Sequence, residues 1–265
     1  MKQHPNQAEN IKNSADTLAR DYNTNFRQNQ QARQEILNYA KEIFFSAYED
    51  GIIVDAGCGN GTLTNELAEL IRPLKVIGID ISEEMITEAK KIYINNCEFY
   101  QCNANEISKI SKIPLKAITV FNAWTYISKV PNIIEEFQRS LDDDGIVFIS
   151  GATREDLNSQ LLHSILKNFH FHDESRESSD ELKSRFESGG FKIIGEDSFF
   201  HVDVFGKPEE LKNFVSGKPY MGLRLISSAE FEQDINHLNE FLKCFHQDSL
   251  ICSGSTTTVL VFQKT

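Results

Sequence analysis

The sequence predicts an α/β fold built on a doubly wound, mostly parallel sheet. Three observations carry this. Ile52-Ile53-Val54 is a β-branched run of the kind found in buried parallel strands. It is followed by glycines at every second position, Gly57, Gly59 and Gly61, and then by Thr62–Arg72, which sets Leu63, Leu67, Leu70 and Ile71 on one helical face and stops before Pro73. A second β-branched run, Lys75–Asp80, ends in an acid roughly 25 residues beyond Asp55, close to the ~20 at which doubly wound nucleotide sites carry an acid for ribose hydroxyls.

The chain has 265 residues, which suits one decorated α/β domain or two small ones. Its 27 Lys and Arg against 39 Asp and Glu give a net charge of −12. That balance argues against nucleic-acid or anionic-membrane partners. The start, Met1 to Asn13, is polar, and no apolar run approaches the ~20 residues of a membrane span. The five cysteines, Cys58, Cys97, Cys102, Cys244 and Cys252, are scattered and odd in number, as free thiols in a reducing cytoplasm would be. Cys97 and Cys102 lack paired zinc-ligand spacing, so no metal is expected there.

The glycine turn narrows the ligand. A dinucleotide fingerprint needs its third glycine at position 62, which is Thr62, and a phosphate loop needs a Gly-Lys-Ser/Thr that is absent. Asp55 at the strand end would repel a pyrophosphate and attract an ammonium group. A nucleoside joined to an amino acid fits both features. With its acid-x-Gly-x-Gly-x-Gly stretch, Asp55-Ala56-Gly57-Cys58-Gly59-Asn60-Gly61, the chain resembles the class I S-adenosylmethionine-dependent methyltransferases. The resemblance implies a seven-stranded sheet with a last, antiparallel strand between strands five and six. It also implies S-adenosyl-L-methionine as cofactor, with Asp55, Ala56, Gly57, Cys58 and Gly59 in its binding loop.

In chain order, Met1–Asn13 is expected to be loosely attached. Two amphipathic helices follow, one carrying Ala15, Leu18, Ala19 and Tyr22, the other Ile36, Leu37, Ala40, Ile43, Phe44 and Ala47. In the resembled family such helices, here residues 1–48, form a lid. The segment from Ala15 to Tyr39 is similar to that of carboxylate-esterifying members, in which a Tyr placed like Tyr22 approaches the cofactor. Tyr22 in an ordinary core is the alternative. Asp80 is assigned to the ribose, with helix N-terminal charge as its other role. Ile81 and Met85 either wall the adenine or pack the core.

Cys97–Cys102 reads as the third strand, followed by Asn103-Ala104 where the family usually has Asp-Ala. The Asn103 amide oxygen can still accept from an adenine amino group. Lys116–Phe121 is the fourth strand, ending at Asn122. Asn122 is placed with the cofactor, while Trp124 and Tyr126 just beyond it are assigned to the acceptor. Asp142–Gly145 is predicted as a turn, and Gly145–Ser150 as the fifth strand.

Beyond Gly151 only architecture carries the likeness. His170-Phe171-His172-Asp173-Glu174 has metal-ligand residue types, but its charged, Ser-rich surroundings suit a solvated loop. The sixth strand opens at Phe191, kinks at Gly195 and resumes to Val204, and Thr256–Phe262 is the last strand. Residues 49–205 and 255–265 then form the cofactor-binding core. The long piece 206–254 is an insertion expected to cap a substrate pocket. Its Pro208-Glu209-Glu210-Leu211 is similar to trans-aconitate and juvenile hormone acid methyltransferases. Within it, Tyr220 and Arg224 are assigned to the acceptor. Arg224 either forks onto a carboxylate or lies on the surface with its stem over Leu223, Leu225 and Ile226.

The resulting expectation is a cytoplasmic enzyme that methylates a small molecule, such as a carboxylate or a close oxygen nucleophile. A methyltransferase for protein or carrier-bound substrates, or a non-catalytic cofactor-binding member, stays open. Nothing in the residues names a catalytic base, a metal or an oligomeric state.

Overall fold

A computed structural model describes residues 9, 12, 13, 15, 16, 30–47, 50–71, 74–157, 160–169 and 176–265. The strands are β1 (Ile52–Ala56), β2 (Lys75–Asp80), β3 (Cys97–Gln101), β4 (Leu115–Phe121), β5 (Leu141–Gly151), β6 (Phe191–Gly206) and β7 (Ile251–Lys264). They form one sheet in the order β3-β2-β1-β4-β5-β7-β6. All neighbours are parallel except β7, which runs antiparallel between β5 and β6. The doubly wound, seven-stranded architecture is thus as the sequence predicts, down to the place of the last strand.

Each face of the sheet is covered, which is why β1 and β4 read as continuous apolar runs. Along β1, Ile53 and Val54 enter opposite cores. On one side Val54, Ile118 and Phe262 pack against Phe137 of α5 (Ile133–Ser140) and Phe186 of α8 (Ser179–Ser188). The other side holds α1 (Gln30–Ala47) and α2 (Thr62–Leu70). Its Phe44 is fully buried, 5.9 Å from the Phe148 ring. Here the lid expectation needs correcting: α1 is a core layer. Its apolar stripe of Ile36, Leu37, Ala40 and Phe44 is spent on the sheet. Arg33 ties it to Glu66 of α2 at 2.9 Å.

The remaining elements are shorter. They are α3 (Glu83–Ala89), a 3-10 turn at Ala104–Lys109, α4 (Trp124–Ile127), α6 (Arg154–Leu157) and α7 (Leu161–Ile165). The turn expected at Asp142–Gly145 is an excursion within β5, where pairing with β4 jumps from Leu115–Leu141 to Ala117–Ile146. The kink expected at Gly195 is a register shift in β6.

At the carboxyl end of β5, Gly151 pairs with Thr258. Beyond it, Ile251–Thr257 of β7 pairs with β6 alone, a ribbon reaching about 20 Å past the sheet. The ribbon carries α9 (Pro208–Ser216), α10 (Met221–Leu225) and α11 (Ser228–Leu242). These enclose a third core of Leu211, Val215, Leu223 and Leu238 with Leu162 and Phe169 from the segment after β5. The fully buried Asp234 carboxylate fastens that segment by accepting from the N–H groups of Asn168 (3.0 Å) and Phe169 (2.9 Å). The insertion is therefore built jointly with residues 161–169.

Candidate active site

Between β1 and α2 the backbone turns with φ of 74°, 54° and 75° at Gly57, Gly59 and Gly61. Two of these glycines serve close packing. A Cβ on Gly57 would lie 2.6 Å from the Ala123 Cβ, and one on Gly61 would lie 2.7 Å from the Phe99 ring. Gly59 differs. The nearest atom to its added Cβ would be the Met85 sulfur at 3.9 Å, so the middle of the loop faces open space. The loop is fixed to β2 by the N–H groups of Gly57 and Cys58, which both donate to the Ile79 carbonyl at 2.8 and 3.0 Å.

Asp80 ends β2 opposite this opening. Its carboxylate accepts from the Gly59 N–H at 3.0 Å and the Ser82 N–H at 2.9 Å. Burial pushes the Asp80 carboxyl above the ordinary range, and these backbone donors pull it part of the way back. Ser82 caps α3, its hydroxyl accepting from the Met85 N–H at 3.1 Å. The same hydroxyl donates to Asp16, which Lys12 also engages at 2.8 Å. The first helical segment of the chain thus docks beside Asp80. Asp16 escaped the sequence reading because a lone acid on an amphipathic stretch looks like a solvated face. Tyr22 lies outside the described residues, as do His170, His172, Asp173 and Glu174.

Ile81 is half-buried, Met85 is buried beneath Gly59, and Ala104 is buried at the end of β3. The Asn103 side chain accepts from the Asn105 N–H at 3.3 Å and so caps the 3-10 turn. Its carbonyl keeps a second lone pair. Asn122 ends β4 in a left-handed conformation, φ 55°, with its N–H on the Ser150 carbonyl at 2.7 Å. Gly57, Gly59, Asp80, Met85 and Asn122 therefore converge on the carboxyl edge of the sheet, where open α/β folds bind ligands.

Asp55 is placed differently from the expectation. It is 1% exposed, and its two oxygens accept from the hydroxyls of Thr64 (2.5 Å) and Thr119 (2.9 Å). Burial pushes its pKa up to about 6, against those two hydrogen bonds. The acid braces the start of α2 to β4 instead of presenting charge to an ammonium group.

On the acceptor side, Trp124 is mostly buried among Phe137 and Phe186, with its edge on a recess lined also by Asn122, Gly151, Thr153 and Arg176. Its indole N–H donates to Glu177 at 2.8 Å. Tyr126 is half-buried in α4. Two assignments are corrected. Tyr220 stacks 5.9 Å from Phe169 and meets the edge of Phe214, which makes it part of the insertion's own core. Arg224 donates to the carbonyls of Lys218 (2.8 Å) and Gly217 (3.3 Å), just past the end of α9. Its guanidinium closes that helix end. Among the described residues, no group of three His, Cys, Asp or Glu could hold a metal ion, and no helix is long and apolar enough to cross a membrane.

Comparison with known proteins agrees with this fold. A stretch of an uncharacterized methyltransferase, C70.08c of Schizosaccharomyces pombe, is 37% identical over 68 residues, 26% of this chain and 24% of that protein. A second curated relative, from Invertebrate iridescent virus 6, is matched over 16% of its length at 46% identity. The chain thus spans under a quarter of the curated relatives it matches. Among solved structures, the YcgJ protein of Bacillus subtilis is similar with a TM-score of 0.59 at 18% identity, over 87% of this chain and 98% of that one. An S-adenosylmethionine-dependent methyltransferase of Geobacter sulfurreducens, crystallised with S-adenosyl-L-homocysteine, gives 0.53 at 14% identity, over 87% and 91%. At these identities the structures speak for the fold. The methyltransferase-domain family model matches residues 49–194, more than half of the sequence, and with it the chain belongs to the class I S-adenosylmethionine-dependent methyltransferases.

Proposed function

We propose that the protein transfers a methyl group from S-adenosyl-L-methionine to a small molecule, at an oxygen nucleophile such as a carboxylate. One observation carries the cofactor half: the Gly59 N–H donates to the Asp80 carboxylate, which joins the glycine loop to the acid at the end of β2. Gly57, Cys58 and Gly59 would hold the amino-acid end. Asp80 would take the ribose hydroxyls on the lone pairs its backbone donors leave. Ile81, Met85, Asn103 and Ala104 would flank the base, and Asn122 would close the methyl end. Asp55 supports the loop from beneath.

The cofactor supplies an activated methyl on a positively charged sulfur. When bound, that sulfonium would offer its methyl to an acceptor oxygen, whose lone pair would form the O–C bond while the S–C pair stayed on sulfur. A carboxylate is already a nucleophile at neutral pH, so no proton moves, and the protein's task is to hold it in line and exclude water. The cap built on the β6–β7 ribbon, and the N-terminal segment docked through Asp16, suit a closed pocket better than a macromolecular surface. The experiment is a screen of small acids, phenols, amines and protein with labelled cofactor. Label in a base-labile ester supports the reading, and label only in amines or only in protein refutes it.

A further inference from the structure

The inward face of the β6–β7 ribbon changes character between the two cores it joins. At its near end, Val259 of β7 and Phe199 of β6 belong to the sheet core, and the Phe199 ring lies 6.0 Å from Tyr39 of α1. At its far end, Ile251 and Phe205 belong to the core of the insertion, and the Phe205 ring lies 5.6 Å from Phe214 of α9. Between them the same face is polar. It carries the buried Ser253 and Ser255 of β7, with Asp203 and His201 of β6 directly opposite them. A ribbon that only carried the insertion would be apolar along this whole face, because each buried polar group costs unless it finds a partner.

Most of these groups are satisfied locally. The Ser253 hydroxyl donates to the Gly254 carbonyl and accepts from the Leu161 N–H, both at 2.9 Å. The Ser255 hydroxyl donates to Asp203 at 2.8 Å. His201 is the exception. Its side chain is 11% exposed, and its buried Nδ1 has no hydrogen-bond partner among the described residues. The Asp203 carboxylate lies 3.8 Å from Nε2, too far for a hydrogen bond but near enough to favour the proton on that nitrogen. Nδ1 then carries a lone pair held out of water without a donor. A second such atom lies on the same face at the carboxyl end of β5. Ser150, opposite Val259, is fully buried, and its hydroxyl has no partner among the described residues.

We infer that this polar face is the floor of the acceptor pocket, and that His201 Nδ1 accepts a hydrogen bond from a hydroxyl of the acceptor, which is then a hydroxy acid. The inference rests on the methyl-transfer reading with a carboxylate acceptor and names a second group by which that acceptor is recognised. Spacing sets how far apart the two groups lie. Ser150 faces Val259 and His201 faces Ser255, four residues along β7. At ~3.3 Å per residue, His201 stands roughly 13 Å beyond Ser150. The Ser150 carbonyl holds the Asn122 N–H, so Ser150 marks the methyl end of the proposed site. Carboxylate and hydroxyl therefore sit at opposite ends of an extended molecule. A hydroxyl suits Nδ1 as a neutral donor, whereas an ammonium would be drawn to Asp203. A site built to receive a hydroxyl rejects the analogue lacking it, because the buried lone pair is left unpaired. His201 is a positioning residue here, since the carboxylate gives up no proton.

The test uses the full chain saturated with S-adenosyl-L-homocysteine and titrated by calorimetry with ω-hydroxydecanoate, decanoate and ω-aminodecanoate. The hydroxy acid should bind about tenfold more tightly than either of the others. His201→Phe keeps a ring without a lone pair and should erase that preference. His201→Asn, whose amide oxygen reaches the place of Nδ1, should restore part of it. Both variants should keep their S-adenosyl-L-homocysteine affinity within about twofold of the unsubstituted chain, which shows that they fold. The inference is overturned if the hydroxy acid binds no better than decanoate, if the amino acid matches it, if His201→Phe keeps the preference, or if none of the three binds the loaded protein. Failure of S-adenosyl-L-homocysteine to bind the unsubstituted chain would instead overturn the methyl-transfer reading itself.

Discussion

The Gly59 N–H donates to the Asp80 carboxylate at 3.0 Å, joining the open middle of the glycine loop to the end of β2. The acid proposed to take the ribose is therefore oriented before any ligand arrives. Asp80→Ala removes the acceptor for Gly59 and Ser82 along with the ribose contacts. Hydrogen bonds to charged groups are worth about 1.5–3 kcal/mol each. Affinity for S-adenosyl-L-homocysteine should fall at least tenfold by calorimetry, with the circular dichroism spectrum kept. Unchanged affinity would place Asp80 outside the site.

Asp55 gives a pH dependence. Its folded pKa of about 6 lies above the unfolded value near 3.9. A raised acid contributes its full share of stability while protonated in both states, below pH ~4, and loses it as pH rises through about 6. Ionising it in the folded protein costs up to about 3 kcal/mol at neutral pH. Asp55→Asn keeps a partner for Thr64 and Thr119 without that cost. The melting temperature of the variant relative to the unsubstituted chain should therefore climb between pH 4 and pH 7. A flat difference across that range would contradict the buried, braced carboxylate.

From the contact between Ser82 and Asp16 we propose that the chain before α1 acts as a lid. Deleting residues 1–29 should leave a cooperatively melting protein, because α1 and its Phe44 stay in the core. Turnover should be lost, because the cleft stays wet. Asp16→Ala should weaken S-adenosyl-L-homocysteine binding several-fold in the full chain. A truncated protein as active as the whole one would remove the lid from the account.

Arg224→Ala should behave as a structural change. It uncovers the carbonyls of Gly217 and Lys218 and should cost about 1–3 kcal/mol in denaturant unfolding, with cofactor affinity unaltered. A large rise in the acceptor's Michaelis constant with no loss of stability would return Arg224 to the acceptor pocket.

What the sequence made legible follows from range. The β1–glycine–α2 unit and the acid of β2 are local patterns, and the strand runs that compose the sheet are nearly so. The Asp55 carboxylate was legible as an acid at the right place, but its partner Thr119 comes from another strand. An amphipathic stripe such as Ile36-Leu37-Ala40-Phe44 declares that a face is buried without saying whether a sheet or a cleft buries it. Arg224 among apolar residues gave no sign that its guanidinium turns back to carbonyls six and seven residues earlier. Arg176 sat in a charged, Ser-rich stretch that reads as solvated, and only the fold brings it to Asn122.

The central claim is that the glycine loop and Asp80 form an S-adenosylmethionine site. The most direct measurement is the melting temperature with S-adenosyl-L-homocysteine and, separately, with NAD. A ligand at 100 times its dissociation constant stabilises by about 2.7 kcal/mol, so S-adenosyl-L-homocysteine should raise the melting temperature clearly while NAD leaves it unmoved. A rise with NAD and none with S-adenosyl-L-homocysteine would contradict the account.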